Sequence, residues 1–175
     1  ERVVLHVGAV QKRKNLVRLV EAFAALDKSW RLVLAGGAGY GAAAITEAIA
    51  RSPARERIRV TGYVTADQLG DWYARAMVFA FPSLDEGFGM PVLEAMASGV
   101  PVIASNRSAV PEVAGGAVVL ADPQDTEAWR AGLLELAGNE ALRQDLAERG
   151  RRRVECFTWE RAASATWGVY QSVLG

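Results

Sequence analysis

Two glutamates, Glu86 and Glu94, flank a short segment that contains glycine and proline. Carboxylates accept hydrogen bonds from sugar hydroxyls, and Gly87 and Gly89 allow the backbone to approach a ligand closely. Pro91 suits the first position of a helix, and the free N–H groups at a helix start bind phosphates. The segment therefore favours a ligand with a hydroxyl-bearing group at each end of a diphosphate, one held by Glu94 and the other by Glu86.

The N–H groups that would face the diphosphate are those of Met90, Val92 and Leu93, at or near the predicted helix start. An alternative without a ligand stays open at this point. In that case Glu94 only complements the positive end of the helix dipole, and Glu86 is a surface turn residue.

A basic loop, residues 8–15, follows the first predicted strand. Its cations include Arg13 and Lys14, which lie just before a helix that begins at Leu16, with Asn15 as the predicted N-cap. Cations are unfavourable beside the positive end of a helix. A phosphate bound by Arg13, Lys14 and free N–H groups would remove this conflict. A solvated basic loop without a ligand is the alternative.

A glycine-rich loop follows the second predicted strand. Gly37, Gly39 and Ala42 match the G-x-G-x-x-A fingerprint of dinucleotide-binding domains, which predicts NAD(H) affinity that needs neither glutamate. That fingerprint is accompanied by a carboxylate about 20 positions further on, and residues 58–62 contain none. We therefore favour a tight turn between strand and helix, with an NAD(P)-binding oxidoreductase domain as the alternative.

Short apolar runs alternate with amphipathic stretches along the whole chain, as in α/β proteins. The runs predicted as strands are Arg2–Val7, Trp30–Ala35, Arg57–Thr61, Met77–Pro82, Val100–Ser105 and Ala117–Leu120. Helical spacing lies between most of them and in a last stretch from Trp159 to Leu174. The pattern predicts one Rossmann-like doubly wound parallel sheet of about six strands with helices on both faces. Such sheets bind ligands at the carboxyl ends of their strands.

Composition narrows the function classes. The chain has 175 residues, which suits one domain, and its 20 basic and 20 acidic side chains cancel. This balance argues against a nucleic-acid-binding protein. The single histidine, His6, and the single cysteine, Cys156, cannot form a Cys/His metal site or an intramolecular disulfide. We therefore expect no Cys/His metal site and a reducing, cytoplasmic location, with His6 as a packed, hydrogen-bonded residue.

The chain lacks a signal-peptide pattern and an apolar run of the roughly 18 residues that a membrane helix needs. Because it starts without Met and directly in a strand-like run, we expect that a preceding segment belongs to the protein. The basic cluster 149–153 is interpreted as a solvated helix end, with contact to the inner face of a membrane as the alternative. The tryptophans interpreted mostly as core rather than as sugar-stacking groups are Trp30, Trp72, Trp129, Trp159 and Trp167.

Residues 86–94 resemble the Glu-x7-Glu motif of the retaining glycosyltransferases of family 4, and residues 95–103 continue the likeness. The run from Val7 to Leu16 is also similar to that family. Three shorter pieces share the similarity: Gly62-Tyr63-Val64, Pro111-Glu112-Val113 and Phe157-Thr158-Trp159. The resemblance covers essentially the whole chain and is most specific in the Glu-x7-Glu segment.

The resemblance implies one half of a GT-B fold, in which two Rossmann-like domains face a cleft. Residues 1–175 resemble only the C-terminal, donor-binding domain, so the N-terminal domain that holds the acceptor is expected outside this chain. The implied activity is transfer of a hexosyl group with retention of anomeric configuration. The isolated domain is expected to bind the donor but to have little or no transferase activity. A non-catalytic nucleotide-sugar-binding module is a further alternative.

The same resemblance implies a role for each site residue. Arg13 and Lys14 would neutralise the diphosphate, and Glu94 would accept hydrogen bonds from the ribose hydroxyls. The base would meet the backbone of Val64, and Gly8 would leave room for the phosphate. The hydroxyls of the transferred sugar would be held by Glu86 and the backbone of Gly87, Phe88 and Gly89.

One position departs from the family pattern. Many members carry an arginine directly after the glycine that matches Gly8, and this chain has Ala9. Arg13, beside Lys14, would supply the missing charge, and both cations would stabilise the departing diphosphate electrostatically. The resemblance therefore implies a reaction that needs no metal ion and no other cofactor. The Arg-Lys-Asn form of residues 13–15 resembles the mannosyltransferase branch, so GDP-mannose is the expected donor.

Overall fold

The computed structural model describes residues 1–174, and its strands form one sheet. The strands are β1 (Arg2–Val7), β2 (Trp30–Ala35), β3 (Ile58–Gly62), β4 (Ala76–Phe81), β5 (Val102–Ser105) and β6 (Val119–Ala121). All neighbouring strands run parallel, and their order across the sheet is β3-β2-β1-β4-β5-β6. This confirms the predicted doubly wound parallel sheet.

Helices connect the strands and form the last third of the chain. They are α1 (Leu16–Phe23), α2 (Ala42–Arg51), α3 (Ala66–Arg75), α4 (Met90–Ala97), α5 (Val110–Ala114), α6 (Thr126–Gly138), α7 (Glu140–Val154) and α8 (Trp159–Leu174). The start of α3 is fixed by a capping box, in which Thr65 and Gln68 each accept the other's backbone N–H with a side-chain oxygen. Asp125 and Asn139 cap α6 and α7 in the simpler way, by accepting one backbone N–H each.

The sheet is covered by helices on both faces. One face carries α1, α2 and α6, and Phe23, Trp30 and Trp129 are fully buried in that layer. The other face carries α3, α4 and α5, and Phe79 and Phe81 are fully buried there. Successive residues of a strand point to opposite faces, so a strand covered on both sides needs apolar residues at every position. This explains why the strands appear in the sequence as apolar runs without polar alternation.

β1 and β4 are neighbours at the centre of the sheet, and the chain continues from them in opposite directions. β2 and β3 follow on one side of β1, whereas β5 and β6 follow on the far side of β4. Doubly wound sheets bind ligands in the crevice at the carboxyl ends of such a pair. The fold therefore places the loop after β1, residues 8–15, beside the loop after β4, residues 82–89.

The last helix, α8, has the predicted bounds, but the interpretation of its tryptophans as core is wrong. Trp159 is 86% exposed and Trp167 is 61% exposed, whereas Trp30 and Trp129 are fully buried and Trp72 is half-buried. Helical spacing reveals an apolar stripe but not whether its partner lies in the same chain. Within residues 1–174, no residue of α8 is buried. In that part of the chain no helix is both long and apolar enough to cross a membrane.

The basic cluster 149–153 lies at the end of α7 and contacts the protein more than predicted. Arg153 donates to the carbonyl oxygens of Glu112 at 2.6 Å and Val113 at 3.0 Å, and Arg149 donates to the carbonyl of Gly116 at 3.1 Å. The last carbonyls of a helix have no partner within the helix. These two arginines therefore satisfy carbonyls at and just after the end of α5, and the interpretation of the cluster as merely solvated is wrong for them.

Candidate functional site

Hydrogen bonds join the loop after β1 to the loop after β4. The N–H of Leu84 donates to the carbonyl of Arg13 at 2.9 Å, and the guanidinium of Arg13 donates to the carbonyl of Asp85. These bonds connect residues about 70 positions apart in the sequence. The fold thus brings the basic loop and the Glu-x7-Glu segment together, as the sequence predicts.

Asn15 fastens the end of the basic loop, but it does so differently from the prediction. Its side chain makes no capping bond to α1, and its backbone is left-handed with φ 55°. The side-chain amide instead donates to the carbonyls of Pro82 at 3.2 Å and Pro123 at 2.7 Å. Asn15 therefore occupies the predicted N-cap position of α1, but its side chain ties together three loops at the carboxyl edge of the sheet instead of capping the helix.

The two cations of the basic loop converge on Glu86. Lys14 Nζ donates to Glu86 Oε1 at 2.6 Å, and Arg13 Nη1 lies 2.8 Å from the same oxygen. The side chains of Lys14 and Glu86 are 8% and 10% exposed, whereas that of Arg13 is 44% exposed. Two positive charges and one negative charge leave this cluster with a net charge of +1, which favours an anion.

The charge state of Glu86 follows from its partners. Burial alone would raise the pKa of this carboxyl, but hydrogen bonds from Lys14 and Arg13 outweigh it, so the pKa of Glu86 lies below its ordinary value. Glu86 is therefore a carboxylate at neutral pH. It can accept hydrogen bonds from ligand hydroxyls while it remains beside the two cations.

His6 lies beneath this cluster and is fully buried. Its Nδ1–H donates to the carbonyl of Ala80 at 3.0 Å, and its ring stacks on Phe81. Lys14 Nζ lies 4.8 Å from the centre of the same phenylalanine ring. Burial lowers the pKa of His6 to about 4, so the imidazole is neutral at pH 7. This confirms the prediction of a packed, hydrogen-bonded histidine.

Gly8 begins the basic loop and lies directly against Lys14. Its φ of +143° falls where residues with a side chain are strained. A Cβ atom at this position would lie 3.2 Å from Lys14 Cε and 3.5 Å from Lys14 Nζ. A side chain would therefore occupy the space in front of the ammonium group.

The glycine-rich loop after β2 supports the basic loop. The N–H of Val10 donates to the carbonyl of Gly37 at 2.8 Å, and the N–H of Gly39 donates to the carbonyl of Val10 at 2.9 Å. A Cβ atom at Gly36 would overlap the carbonyl of Gly8. Gly36 and Gly39 thus let this loop pack closely against the basic loop, a contact that the sequence did not predict.

The Glu-x7-Glu segment divides into exposed and buried residues at the start of α4. The helix begins at Met90, so Pro91 occupies its second position rather than the predicted first. Gly87, Phe88 and Met90 are exposed. The other residues between the two glutamates are buried or partly buried, and they are Gly89, Pro91, Val92 and Leu93.

Val92 contributes less to a ligand site than the sequence predicts. Its N–H donates to the carbonyl of Gly89 at 2.9 Å, and its side chain is fully buried. That N–H group is therefore already satisfied within the helix start, in the tighter i→i−3 pattern that is frequent at helix ends. Met90 remains the exposed residue at the beginning of the helix.

Glu94 lies one turn into α4 and is half-buried. Tyr73 Oη, at the end of α3, donates to Glu94 Oε2 at 2.8 Å. Burial and the charge of Glu94 raise the pKa of the tyrosine, which therefore remains a protonated donor. Tyr73 lies 21 positions before Glu94, on a different helix, so no local pattern in the sequence indicates this contact.

Val64 lies just after β3, apart from the charged cluster. Two strand spacings, roughly 10 Å, separate β3 from β1. A groove of about 280 Å³ lies beside Val64 and is lined further by Arg59, Thr61, Tyr63, Gln68, Asp71, Trp72 and Arg75. The predicted site residues therefore extend along the carboxyl edge of the sheet. Val64 follows the edge strand β3, and Glu86 follows the central strand β4.

Residues 1–174 contain no group of three or more His, Cys, Asp or Glu side chains that would hold a metal ion. The cations in contact with Glu86 are Arg13 and Lys14. The arrangement can bind an anion at the two cations and ligand hydroxyls at two carboxylates.

Comparisons with known proteins agree with this arrangement. The family described as “Glycosyl transferases group 1” matches residues 1–153. The chain is 36% identical over 171 residues to O-antigen chain mannosyltransferase B of Escherichia coli. This alignment covers 95% of the present chain and 45% of the relative. It is also 36% identical over 173 residues to D-inositol 3-phosphate glycosyltransferase of Xylanimonas cellulosilytica, in an alignment that covers 96% of the present chain and 42% of the relative. The chain thus spans less than half the length of these relatives.

Solved structures show the same fold. Sucrose-phosphate synthase of Thermosynechococcus elongatus superposes with a TM-score of 0.88 at 29% identity, over 99% of this chain and 46% of that chain. HepE of Anabaena, solved in complex with UDP, superposes with a TM-score of 0.86 at 21% identity, over 97% of this chain and 48% of that chain. The present chain therefore corresponds in fold to about half of each of these proteins.

Proposed function

This chain is a domain of the group 1 glycosyl transferases, and we propose that it is the half of such an enzyme that binds a nucleotide-diphosphate sugar. The convergence of Arg13 and Lys14 on Glu86 carries this proposal. It lies at the crevice where doubly wound sheets bind their ligands. There the cluster offers cations for a diphosphate and a carboxylate for sugar hydroxyls.

The proposed donor lies along the carboxyl edge of the sheet. Its diphosphate contacts Arg13, Lys14 and the start of α4, and its ribose hydroxyls donate to Glu94. The base lies beside Val64, where the groove of about 280 Å³ offers room. The transferred sugar lies at Glu86, whose position between the cations and the exposed Gly87 and Phe88 suits a group attached to the outer phosphate.

Catalysis in this proposal is electrostatic. The bond between the sugar C1 and the phosphate oxygen loosens, so positive charge develops on the sugar ring and negative charge on the leaving diphosphate. Arg13 and Lys14 already lie beside Glu86 and stabilise that negative charge. Glu86 holds the sugar hydroxyls as the charge develops. Retention of anomeric configuration is what the resemblance to family 4 implies.

The donor and the missing half of the enzyme are part of the same proposal. A 36% identical relative is named a mannosyltransferase, which supports a mannosyl donor, and we propose GDP-mannose. The acceptor is held by an N-terminal domain that faces this one across a cleft. Residues 1–175 alone are therefore expected to bind GDP-mannose and to have little or no transferase activity.

Titration calorimetry of residues 1–175 tests the proposal. The ligands are GDP, UDP, GDP-mannose, UDP-glucose and NADH, and we expect GDP and GDP-mannose to bind more tightly than NADH. A preference for UDP would keep the donor-binding function and overturn the choice of base. If none of the guanosine and uridine ligands binds, the proposed function is wrong, and binding of NADH in that case would favour the dinucleotide alternative.

A further inference from the structure

Tyr73 is buried where a phenylalanine would pack equally well. It lies in the last turn of α3, is 5% exposed, and packs its ring against Phe79 with ring centres 5.8 Å apart. The ring alone accounts for the packing on this face of the sheet. What the hydroxyl adds is its bond to Glu94 at 2.8 Å, together with a longer contact of 3.4 Å to the carbonyl of Pro91.

The hydroxyl can only donate to Glu94. A tyrosine carries one proton on its oxygen, and the raised pKa of Tyr73 keeps that proton in place. The shorter of its two contacts is to Glu94 Oε2. Within residues 1–174, this is the one side-chain hydrogen bond that the Glu94 carboxylate receives. One carboxylate oxygen is thus held from the protein side, and the other has no such partner there.

This arrangement suits a carboxylate that binds two neighbouring hydroxyls. A free glutamate loses side-chain entropy when a ligand immobilises it, and this loss weakens binding. A carboxylate already fixed at one oxygen has lost part of that freedom before the ligand arrives. The neutral donor also leaves the full negative charge of Glu94 for hydrogen bonds from the ligand.

We infer that Tyr73 is a positioning residue, whose hydroxyl holds Glu94 in the orientation that receives the ribose hydroxyls of the donor. The inference depends on the proposed function, because it assigns a ribose to Glu94. Tyr73 lies outside the Glu-x7-Glu segment, on α3, whereas Glu94 lies on α4. Tyr73 does not touch the donor itself and acts through Glu94.

The test is calorimetry of residues 1–175 and their Tyr73→Phe variant with GDP and UDP and with the 2′,3′-dideoxy form of each. We expect Tyr73→Phe to weaken binding of the ribose nucleotide roughly 3- to 10-fold, as the loss of one hydrogen bond implies. Binding of the dideoxy nucleotide should not change, because it lacks the hydroxyls that Glu94 binds. In a Glu94→Ala background, Tyr73→Phe should have no further effect.

Tyr170→Phe is the matched control, since Tyr170 lies on α8 and is 57% exposed; we expect no change in affinity. If thermal unfolding shows that Tyr73→Phe is unfolded, Tyr73→Met replaces it, because methionine fills apolar space adaptably without a hydroxyl. An equal loss for ribose and dideoxy nucleotides would overturn the inference in favour of a structural role. An unchanged affinity for the ribose nucleotide would also overturn it.

The two proposals fail in different ways. If the unmodified chain binds neither GDP nor UDP, the proposed function is wrong and the role of Tyr73 is wrong with it. If the unmodified chain binds one of them and Glu94→Ala weakens that binding, but Tyr73→Phe does not, only the positioning role is wrong.

Discussion

The two ends of the Glu-x7-Glu segment carry the same residue type in opposite surroundings. Glu86 shares one oxygen with two cations, Lys14 at 2.6 Å and Arg13 at 2.8 Å. Glu94 is held by the neutral hydroxyl of Tyr73 at 2.8 Å. The charge of Glu86 is therefore offset within the protein, whereas that of Glu94 remains available to a ligand. The motif alone does not distinguish the charge environments of the two glutamates, which differ because their partners in the fold differ.

The two ends also differ in what holds them in place. Glu86 and its cations lie on loops, and they meet only because β1 and β4 are neighbours at the centre of the sheet. Glu94 and Tyr73 lie on helices that pack on the same face of the sheet. A site on loops adapts more easily than a site on rigid elements. We therefore expect the Glu86 end to respond to the charge of the ligand, and the Glu94 end to recognise a fixed pair of hydroxyls.

The largest effect should come from Lys14→Met, which removes the buried cation of the Glu86 end. The variant loses a charge-assisted contact to the diphosphate, so the affinity for GDP should fall by about 1.5–3 kcal/mol. It also leaves Glu86 with only the more exposed Arg13, so the free energy of unfolding should fall. Calorimetry and urea denaturation measure the two effects.

Lys12→Met is the matched control for this prediction, because Lys12 is an exposed neighbour in the same loop. Lys12→Met should change neither the affinity for GDP nor the free energy of unfolding appreciably. Adding Glu86→Gln to Lys14→Met should recover part of the lost stability, since it removes the incompletely paired carboxylate. If Lys12→Met and Lys14→Met lost the same GDP affinity, the loop would attract GDP only through its total positive charge, and the specific contact of Lys14 would be wrong.

At the other end, Glu94→Ala should weaken binding of GDP and GDP-mannose alike, by about 1–3 kcal/mol, because both ligands carry the ribose whose hydroxyls are proposed to donate to Glu94. Calorimetry with the two ligands measures this. Glu112→Ala is a suitable control, since this other glutamate lies in the first turn of a short helix, α5. If a folded Glu94→Ala variant bound both ligands with unchanged affinity, the proposal that the ribose lies at Glu94 would be wrong.

A smaller and more selective effect is expected from Glu86→Gln. The substitution frees Lys14 and Arg13 from their counter-charge, so affinity for GDP should stay the same or rise. The additional affinity that the mannosyl group gives GDP-mannose over GDP should fall, by roughly 0.5–1.5 kcal/mol for a hydrogen bond to a hydroxyl. The ratio of the two dissociation constants is the measurement. A large loss of GDP affinity would instead place Glu86 at the nucleotide.

The smallest effect concerns acid stability. Because the pKa of Glu86 is lower in the folded chain than in the unfolded one, the unfolded chain binds a proton first as the pH falls. The stability that Glu86 contributes is therefore fully present above its ordinary pKa and is lost as the pH falls through its folded pKa. Urea denaturation between pH 7 and pH 3 should show a smaller acid-induced loss for Glu86→Gln than for the unmodified chain. A steeper loss in the variant would contradict this.

The strands could be predicted from the sequence, because they depend on local patterns. β1 and β2 have the predicted bounds, since their apolar runs end at glycines, Gly8 and Gly36. β5 begins at Val102 rather than at the predicted Val100, because Pro101 interrupts the run and has no N–H to donate. Apolar runs thus indicate that a strand exists more reliably than where it ends.

The contacts within the site could not be predicted, because they join residues far apart in the chain. Lys14 and Glu86 are 72 positions apart, and Tyr73 and Glu94 are 21 positions apart. Asn15 looked like a helix cap because its type and position suit one, but tertiary contacts to loop carbonyls compete for its amide. Local rules describe each residue's preferences, and strand order decides which partners it meets.

A crystal structure of residues 1–175 with GDP-mannose tests the division between the two glutamates most directly. We predict the diphosphate against Arg13 and Lys14, the ribose hydroxyls on Glu94 with Tyr73 still bonded to it, and the mannose hydroxyls on Glu86. A nucleotide bound instead at the glycine-rich loop, residues 36–42, would contradict this account. So would a donor in the reverse orientation, with its ribose on Glu86.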